Sequence, residues 1–181
     1  MSEYERIERK NGYMGNFINM FIDKVRLPNK HIVDIEYIDH PGAAAIVPVD
    51  NDGNIIMVRQ FRYAASGFIW EIPAGKIDNG EAPEICAARE LQEETGFSCD
   101  QLEPLGFIWT TPGFTNEKIW LYLARNLELC TQALEDSEVL TVEKVPVSKA
   151  IEDAKKGLIN DAKTVCGLLR AEPFLKQSGL I

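Results

Sequence analysis

The chain has 181 residues, enough for one domain with a sizeable core, and its 45% hydrophobic and 26% charged content is ordinary for a globular protein. A formal net charge of −9 argues against a nucleic-acid partner or an anionic membrane surface, since neither attracts an acidic protein. The four cysteines have no Cys-x-x-Cys spacing and no apolar run could span a bilayer, so we expect reduced thiols in a cytoplasmic protein without a secretory leader.

The first forty residues are expected to form two or three extended segments. Asn11-Gly12 is a hairpin-type turn signal, and Leu27-Pro28-Asn29 predicts a second turn. Residues 17–25 and 32–38 are apolar and partly alternating, as in half-buried strands. We therefore divide the chain into an N-terminal β segment, residues 1–40, and a main domain, residues 41–181.

Three strands are expected at the start of the main domain. Residues 43–49 and 55–63 are apolar segments on either side of an Asn-Asp-Gly-Asn turn, which predicts a buried hairpin. After a short loop, residues 68–75 form a third strand that leads into a glycine-marked loop.

Charged side chains on these strands suggest a binding role. Arg59 and Arg62 lie at the end of an apolar strand, where guanidinium groups could bind phosphate oxygens bidentately or could simply be solvated. Glu71 follows Trp70 in a stretch that otherwise reads as buried. An acid there is costly unless paired, so we expect it to contact a ligand or an arginine.

A helix is predicted to follow this loop, between Pro83 and Gly96. Proline is tolerated in the first turn, and glycine suits the left-handed residue that ends a helix. Apolar residues recur at helical spacing and predict one buried stripe, with the acidic residues on the opposite, exposed face. The residues of that stripe are Ile85, Ala88 and Leu91.

The acidic residues of this helix repel one another. Glu90 and Glu94 are four residues apart on one face, with Glu93 beside them, and such pairs cost a few tenths of a kcal/mol each. They also lie near the carboxyl end, where the helix dipole disfavours negative charge. A divalent cation would offset both effects, and carboxylates suit Mg²⁺ or Mn²⁺. Arg89 could orient a neighbouring carboxylate. The alternative is a solvated acidic face.

Beyond the helix the sequence predicts two strands, an acidic loop, a third strand and two helices. In that order, they cover residues 102–109, 118–124, 134–138, 139–145, 148–156 and 161–170. Pro112 lies in the turn-rich loop that joins the first two strands. Asp136 and Glu138 lie in the acidic loop.

The segment Gly75–Phe97 resembles the Nudix box at every fixed position: glycine, five residues, glutamate, seven residues, then Arg-Glu-apolar-any-Glu-Glu-any-Gly-apolar. The resemblance implies an α/β fold, the Nudix α/β/α sandwich with a mixed central sheet and an N-terminal antiparallel β-sheet region. Residues 59–63, residues 70–78 and Pro112 resemble the ADP-ribose pyrophosphatase and nucleoside diphosphate sugar hydrolase branch.

This branch implies hydrolysis of the diphosphate in ADP-ribose or a related nucleoside diphosphate sugar, with Mg²⁺ as cofactor and Mn²⁺ as a substitute. The products would be a nucleoside monophosphate and a sugar phosphate. Two alternatives stay open: a hydrolase specific for GDP-mannose or another nucleotide sugar, and a non-hydrolytic nucleotide sensor. The N-terminal β segment is expected to form a homodimer and to frame the base pocket.

The resemblance also assigns roles to individual residues. The metal ligands would be Glu90, Glu93, Glu94 and the backbone carbonyl of Ala74. The catalytic residues would be Glu93, Arg89, Glu138 and Asp136, with Glu138 preferred over Asp136 for activating water. The substrate-binding residues would be Arg59, Arg62, Glu71 and Pro112. The aromatic residues that could stack on the base are Tyr4, Phe17 and Trp70.

Overall fold

The computed structural model describes residues 3–15 and 18–180, so Phe17 lies outside the described residues. The chain forms two compact units. The first comprises Met1–Gly42 together with Trp109–Lys118, and the second comprises Ala43–Ile108 together with Ile119–Ile181.

The first unit contains a three-stranded antiparallel sheet. Its strands are β1 (Glu5–Met14), β2 (Asn19–Arg26) and β3 (Ile32–Asp39), in the order β1-β2-β3.

The predicted turn after β2 is confirmed, since Leu27 N–H donates to the His31 carbonyl at 2.8 Å. The turn predicted at Asn11-Gly12 is wrong. This dipeptide lies inside β1, where the register shifts between Asn11 and Tyr13, so the local signal marks a bulge.

Seven strands form the sheets of the second unit. They are β4 (Ala43–Pro48), β5 (Asn54–Arg62), β6 (Gly67–Glu71), β7 (Ala74–Lys76), β8 (Phe97–Trp109), β9 (Lys118–Leu129) and β10 (Leu140–Pro146). One sheet has the order β7-β4-β9-β8 and is mixed, because β4 pairs parallel with β9 and antiparallel with β7. The other, β10-β5-β6, is antiparallel. The predicted hairpin of β4 and β5 is therefore wrong, because the two strands join different sheets and are linked by an isolated bridge between Val49 and Ile55.

The helices of this unit pack on both faces of the mixed sheet. They are α1 (Pro83–Thr95), α2 (Val147–Lys155) and α3 (Ala162–Gln177). Side chains alternate along β4, so Ala45 and Val47 join a core cluster with α2 and α3, whereas Ala44 and Ile46 join a cluster with α1. The predicted α/β/α sandwich is confirmed.

The ends of the helices agree only partly with the sequence patterns. Gly96 ends α1 in the left-handed region, with φ of 71°, as predicted. Helix α2 begins at Val147, one residue earlier than expected. Helix α3 runs past Arg170 to Gln177 and contains Pro173 in its interior. Within residues 3–15 and 18–180, no helix is long and apolar enough to cross a bilayer.

Candidate active site

The buried face of α1 only partly matches the stripe that the apolar spacing predicted, since Leu91 is buried but Ile85 and Ala88 are not. Ile85 is 59% exposed and Ala88 is also exposed, whereas Cys86, Ala87 and Leu91 are fully buried. Small side chains at two successive positions let the helix lie close to β4. The buried stripe is therefore rotated by about one residue, because close packing on the sheet decides the orientation, not the hydrophobicity of a single isoleucine.

This rotation carries two acidic side chains to the buried face, so the expectation of an exposed acidic face is wrong for them. Glu90 is only 8% exposed and Glu94 only 1%. Burial raises the pKa of Glu90 to about 7, although Arg89 opposes the shift. Burial and the negative charge of Glu90 raise the pKa of Glu94 to about 8. Near neutral pH the pair therefore requires a proton or a cation.

Both carboxylates are held by the strand that precedes the helix. The Ala74 N–H donates to Oε2 of Glu94 at 3.1 Å. The Glu90 carboxylate lies against Gly75, where a Cβ atom would be only 1.9 Å from Glu90 Oε1. Any side chain at this position would displace the carboxylate. The first glycine of the Gly75–Phe97 pattern therefore provides room for an acidic side chain.

Arg89 binds three carboxylates at once. Its Nε donates to Glu81 Oε1 at 2.9 Å, and its Nη1 donates to Glu90 Oε1 at 2.6 Å and Glu93 Oε2 at 2.8 Å. Hydrogen bonding from Arg89 lowers the pKa of Glu81 to about 2. The guanidinium thus ties the glycine-marked loop to α1 and fixes the Glu90 carboxylate.

Glu93 is paired with Arg89 and does not converge on the buried pair. Its side chain is 37% exposed, compared with 10% for that of Glu90. In the described part of the chain, no three or more His, Cys, Asp or Glu side chains are grouped so as to hold a metal ion. Glu90 and Glu94 are nevertheless two buried hard-oxygen donors whose mutual repulsion a divalent ion would relieve.

The acidic loop lies between β9 and β10. Glu138 is half-buried, and its Oε2 accepts a hydrogen bond from the Glu135 N–H at 3.0 Å. Its negative charge contributes to the raised pKa values of both Glu90 and Glu94, so it lies within electrostatic reach of the pair. Asp136 is exposed.

Arg62 and Glu71 form a bidentate ion pair. Arg62 Nε lies 2.8 Å from Glu71 Oε1, and Nη2 lies 2.9 Å from Oε2. Glu71 also accepts a hydrogen bond from Lys163 Nζ. Burial would raise the pKa of Glu71, but its contacts with Arg62 and Lys163 outweigh burial and keep that pKa below the ordinary range.

Lys163 is the site residue that sequence reasoning missed. It lies in the first turn of α3, far along the chain from Glu71, so no local pattern connects the two residues. One feature of the sequence could have pointed to Lys163. The helix dipole disfavours a lysine in the first turn of a helix, so a lysine there indicates a compensating contact with an acidic residue elsewhere in the fold.

The structure does not bring Arg59 next to Arg62. Residues three apart on a strand face opposite sides of the sheet. Arg59 is exposed, and its guanidinium lies 6.0 Å from the centre of the Phe68 ring. Trp70, its partner across β5 and β6, is also on that side and packs against the core.

A cavity of about 740 Å³ lies within the first unit. Arg9 makes a bidentate pair with Asp23, both distances being 2.7 Å, and its guanidinium lies 4.2 Å from the centre of the Phe21 ring and 5.0 Å from that of Tyr37. Pro112 lines this cavity. The aromatic residues that line it are Tyr4, Tyr37 and Phe114.

The α/β/α sandwich that carries a glycine-marked loop and an acidic helix defines the class of protein to which this chain belongs. The NUDIX domain profile matches residues 39–166. The chain therefore belongs to the Nudix family, and the resemblance seen in the sequence is confirmed.

Two relatives and one solved structure extend this comparison. The methanol dehydrogenase activator of Bacillus methanolicus is 38% identical over 165 residues, which cover 90% of this chain and 89% of the relative. The ADP-ribose pyrophosphatase of Bacillus subtilis (strain 168) is 37% identical over 164 residues, with the same coverage. The crystal structure of an ADP compounds hydrolase superposes with a TM-score of 0.85 over 99% of this chain and 97% of that chain, and at 20% identity this likeness is one of fold.

Proposed function

We propose that this protein hydrolyses the diphosphate of ADP-ribose, giving AMP and ribose 5-phosphate, with Mg²⁺ as the cation and Mn²⁺ as a substitute. The observation that carries the proposal is the buried pair Glu90 and Glu94. Glu90 lies against Gly75 and is bound by Arg89, and Glu94 accepts a hydrogen bond from the Ala74 N–H. A relative of similar length named for ADP-ribose pyrophosphatase activity supports this choice of substrate.

The cation would be held by Glu90, Glu94 and the Ala74 carbonyl, with Glu93 able to join when Arg89 releases it. When bound, it supplies positive charge against the diphosphate and lowers the pKa of a coordinated water. Arg89 holds the Glu90 carboxylate in place, and the Ala74 N–H holds that of Glu94.

Two further residues act on the substrate and the water. Arg62 uses Nε and Nη2 on Glu71, which leaves Nη1 free of that carboxylate to donate to a diphosphate oxygen. Glu138 is the general base in this proposal, because it is the half-buried carboxylate of the acidic loop and lies within electrostatic reach of both buried carboxylates. Asp136, which is exposed, is the less favoured base.

The proposal includes a base pocket that the N-terminal β segment, residues 1–40, helps to frame, and a substrate contact made by Pro112. The cavity of the first unit, which Pro112 lines, has aromatic side chains that offer stacking surfaces, and its Arg9 offers hydrogen-bond donors. The proposal also includes a homodimer formed through residues 1–40, a catalytic domain over residues 41–181 and a cytoplasmic location, with neither nucleic acid nor a membrane as partner.

A substrate panel tests the proposal. The purified protein is incubated with ADP-ribose, GDP-mannose and other nucleotide sugars, with Mg²⁺ or Mn²⁺, and the products are identified by mass. We expect the highest kcat/KM for ADP-ribose, with AMP and ribose 5-phosphate as products. A preference for GDP-mannose would instead favour a hydrolase of another nucleotide sugar. Binding without turnover would indicate a sensor.

A further inference from the structure

Lys163 makes a buried contact that the stability of α3 alone does not explain. Its side chain is 10% exposed, and its ammonium contacts the carboxylate of Glu71, whose side chain is 1% exposed. Burying an ammonium is costly unless it is paired, and the first turn of a helix is unfavourable for a cation. Asp161 Oδ2, 3.1 Å from Nζ, offsets part of this cost. The arrangement is therefore organised around Glu71.

Glu71 in turn fixes the orientation of Arg62. Both carboxylate oxygens are engaged by the guanidinium, and Oε2 is shared with Lys163. The Arg62 side chain remains 42% exposed. Hydrogen bonding to Glu71 raises the pKa of Arg62, and the negative charge of Glu94 adds to this shift, so the guanidinium lies within electrostatic reach of Glu94. Lys163 thus binds the carboxylate that holds the Arg62 guanidinium in place.

The start of α3 also binds the residue that follows Glu71. Thr164 is fully buried, and its Oγ1 accepts a hydrogen bond from the Ile72 N–H at 2.9 Å. Two residues later, the Ala74 N–H donates to Glu94. Lys163 and Thr164 therefore act together on a short segment that carries both the partner of Arg62 and the amide that holds Glu94.

We propose that Lys163 is a positioning residue for diphosphate binding and that it acts through Glu71 on Arg62. This inference rests on the proposed hydrolysis of a nucleoside diphosphate sugar. The charges of Arg62, Lys163, Glu71 and Asp161 balance. Without Lys163 the cluster is left with one net negative charge, which disfavours an anionic diphosphate, and Glu71 loses one of the two cations that fix it.

Lys163→Met tests this role. We expect KM for ADP-ribose to rise about tenfold while kcat stays within about twofold, because Arg62 would contact the diphosphate in the ground state and the transition state alike. The affinity for α,β-methylene ADP-ribose, measured by calorimetry, should fall by a similar factor. Lys163→Arg, which keeps the charge, should restore KM to within about threefold of wild type.

Lys176→Met is the matched control. Lys176 lies on the same helix, its side chain is 60% exposed, and it pairs with Glu172 at 2.8 Å on the surface. This variant should keep the wild-type KM. Thermal unfolding of each variant establishes that it is folded, and Lys163→Gln replaces Lys163→Met in the experiment if the latter does not fold.

A double-mutant cycle with Glu71→Gln distinguishes an effect of Lys163 that acts through Glu71 from a structural effect that is independent of Glu71. If Lys163 acts through Glu71, Lys163→Met should add less than about twofold to KM in the Glu71→Gln background. A full and independent tenfold effect in that background would overturn the inference, as would a wild-type KM in Lys163→Met. Wild-type protein that neither binds the methylene analogue nor hydrolyses ADP-ribose would instead overturn the proposed function, and the inference with it.

Discussion

Gly75 and Glu90 fit together so closely that a Cβ atom on the glycine would lie 1.9 Å from Oε1 of the glutamate. The backbone of β7 and the carboxylate on α1 therefore form one structural unit. Since φ at Gly75 is not in the left-handed region, the requirement for glycine here is one of space.

Gly75→Ala should displace the Glu90 carboxylate and weaken both cation binding and turnover. We expect kcat/KM for ADP-ribose to fall at least about 100-fold, which corresponds to ~2.7 kcal/mol. Steady-state kinetics and a Mn²⁺ titration measure the two effects. Gly67→Ala is the control, because a Cβ at that position has no atom within 4 Å. Equal activity of the two variants would contradict the proposed role of Glu90.

Glu94→Gln should remove the charge that the cation requires while leaving the fold intact. The amide oxygen of glutamine can still accept the hydrogen bond from the Ala74 N–H. We expect kcat to fall at least about 100-fold, whereas Glu84→Gln, an exposed change on the same helix, should leave kcat unchanged. A near-normal rate for Glu94→Gln at saturating Mg²⁺ would show that Glu94 is not a ligand.

The stability of the metal-free protein should decrease as the pH rises from about 5 to 8. Unfolded glutamates ionise near their ordinary pKa of 4.5, whereas the folded protein keeps protons on Glu90 and Glu94 until about pH 7 and 8. The folded state binds more protons in this range, so the free energy of unfolding falls with rising pH. Urea denaturation at several pH values measures the slope.

Two changes should flatten this pH dependence. Glu94→Gln removes one of the titrating groups, and saturating Mg²⁺ should replace the protons on both. The free energy of unfolding can be plotted against pH for wild type, for Glu94→Gln and for wild type with Mg²⁺. If the three slopes are equal, Glu90 and Glu94 are not the groups that make stability depend on pH.

Glu138→Gln should lower kcat by about 100-fold or more, the usual range for a general base, with little change in KM. Asp136→Asn, in the same loop, should stay within about threefold of wild type because Asp136 is exposed. A larger effect from Asp136→Asn would reverse the assignment.

The fold was largely predictable because its signals are local. Pro83 and Gly96 mark the ends of α1, and the apolar segments on either side of a single turn mark the strands β4 and β5, although these two strands join different sheets. The Nudix family could be identified from the fixed spacing of residues within Gly75–Phe97 alone. Each of these signals lies within a short stretch of the chain, so it does not depend on how distant segments pack.

The details of the site were less predictable because they depend on packing between distant segments. The spacing of Ile85 and Leu91 indicated a buried stripe, but close packing of Cys86 and Ala87 on the sheet rotates the helix and buries Glu90. In the same way, strand alternation separates Arg59 from Arg62 although both seemed equivalent in sequence. Lys163 could not be assigned, since its partner is distant in the chain.

The central claim is that Glu90 and Glu94 are buried together in order to bind a divalent cation that acts on a diphosphate. Anomalous diffraction from crystals grown with Mn²⁺ and α,β-methylene ADP-ribose tests it most directly. The account predicts a manganese peak bridging these two carboxylates and the diphosphate of the analogue. An ordered nucleotide with no manganese beside Glu90 and Glu94 would contradict it.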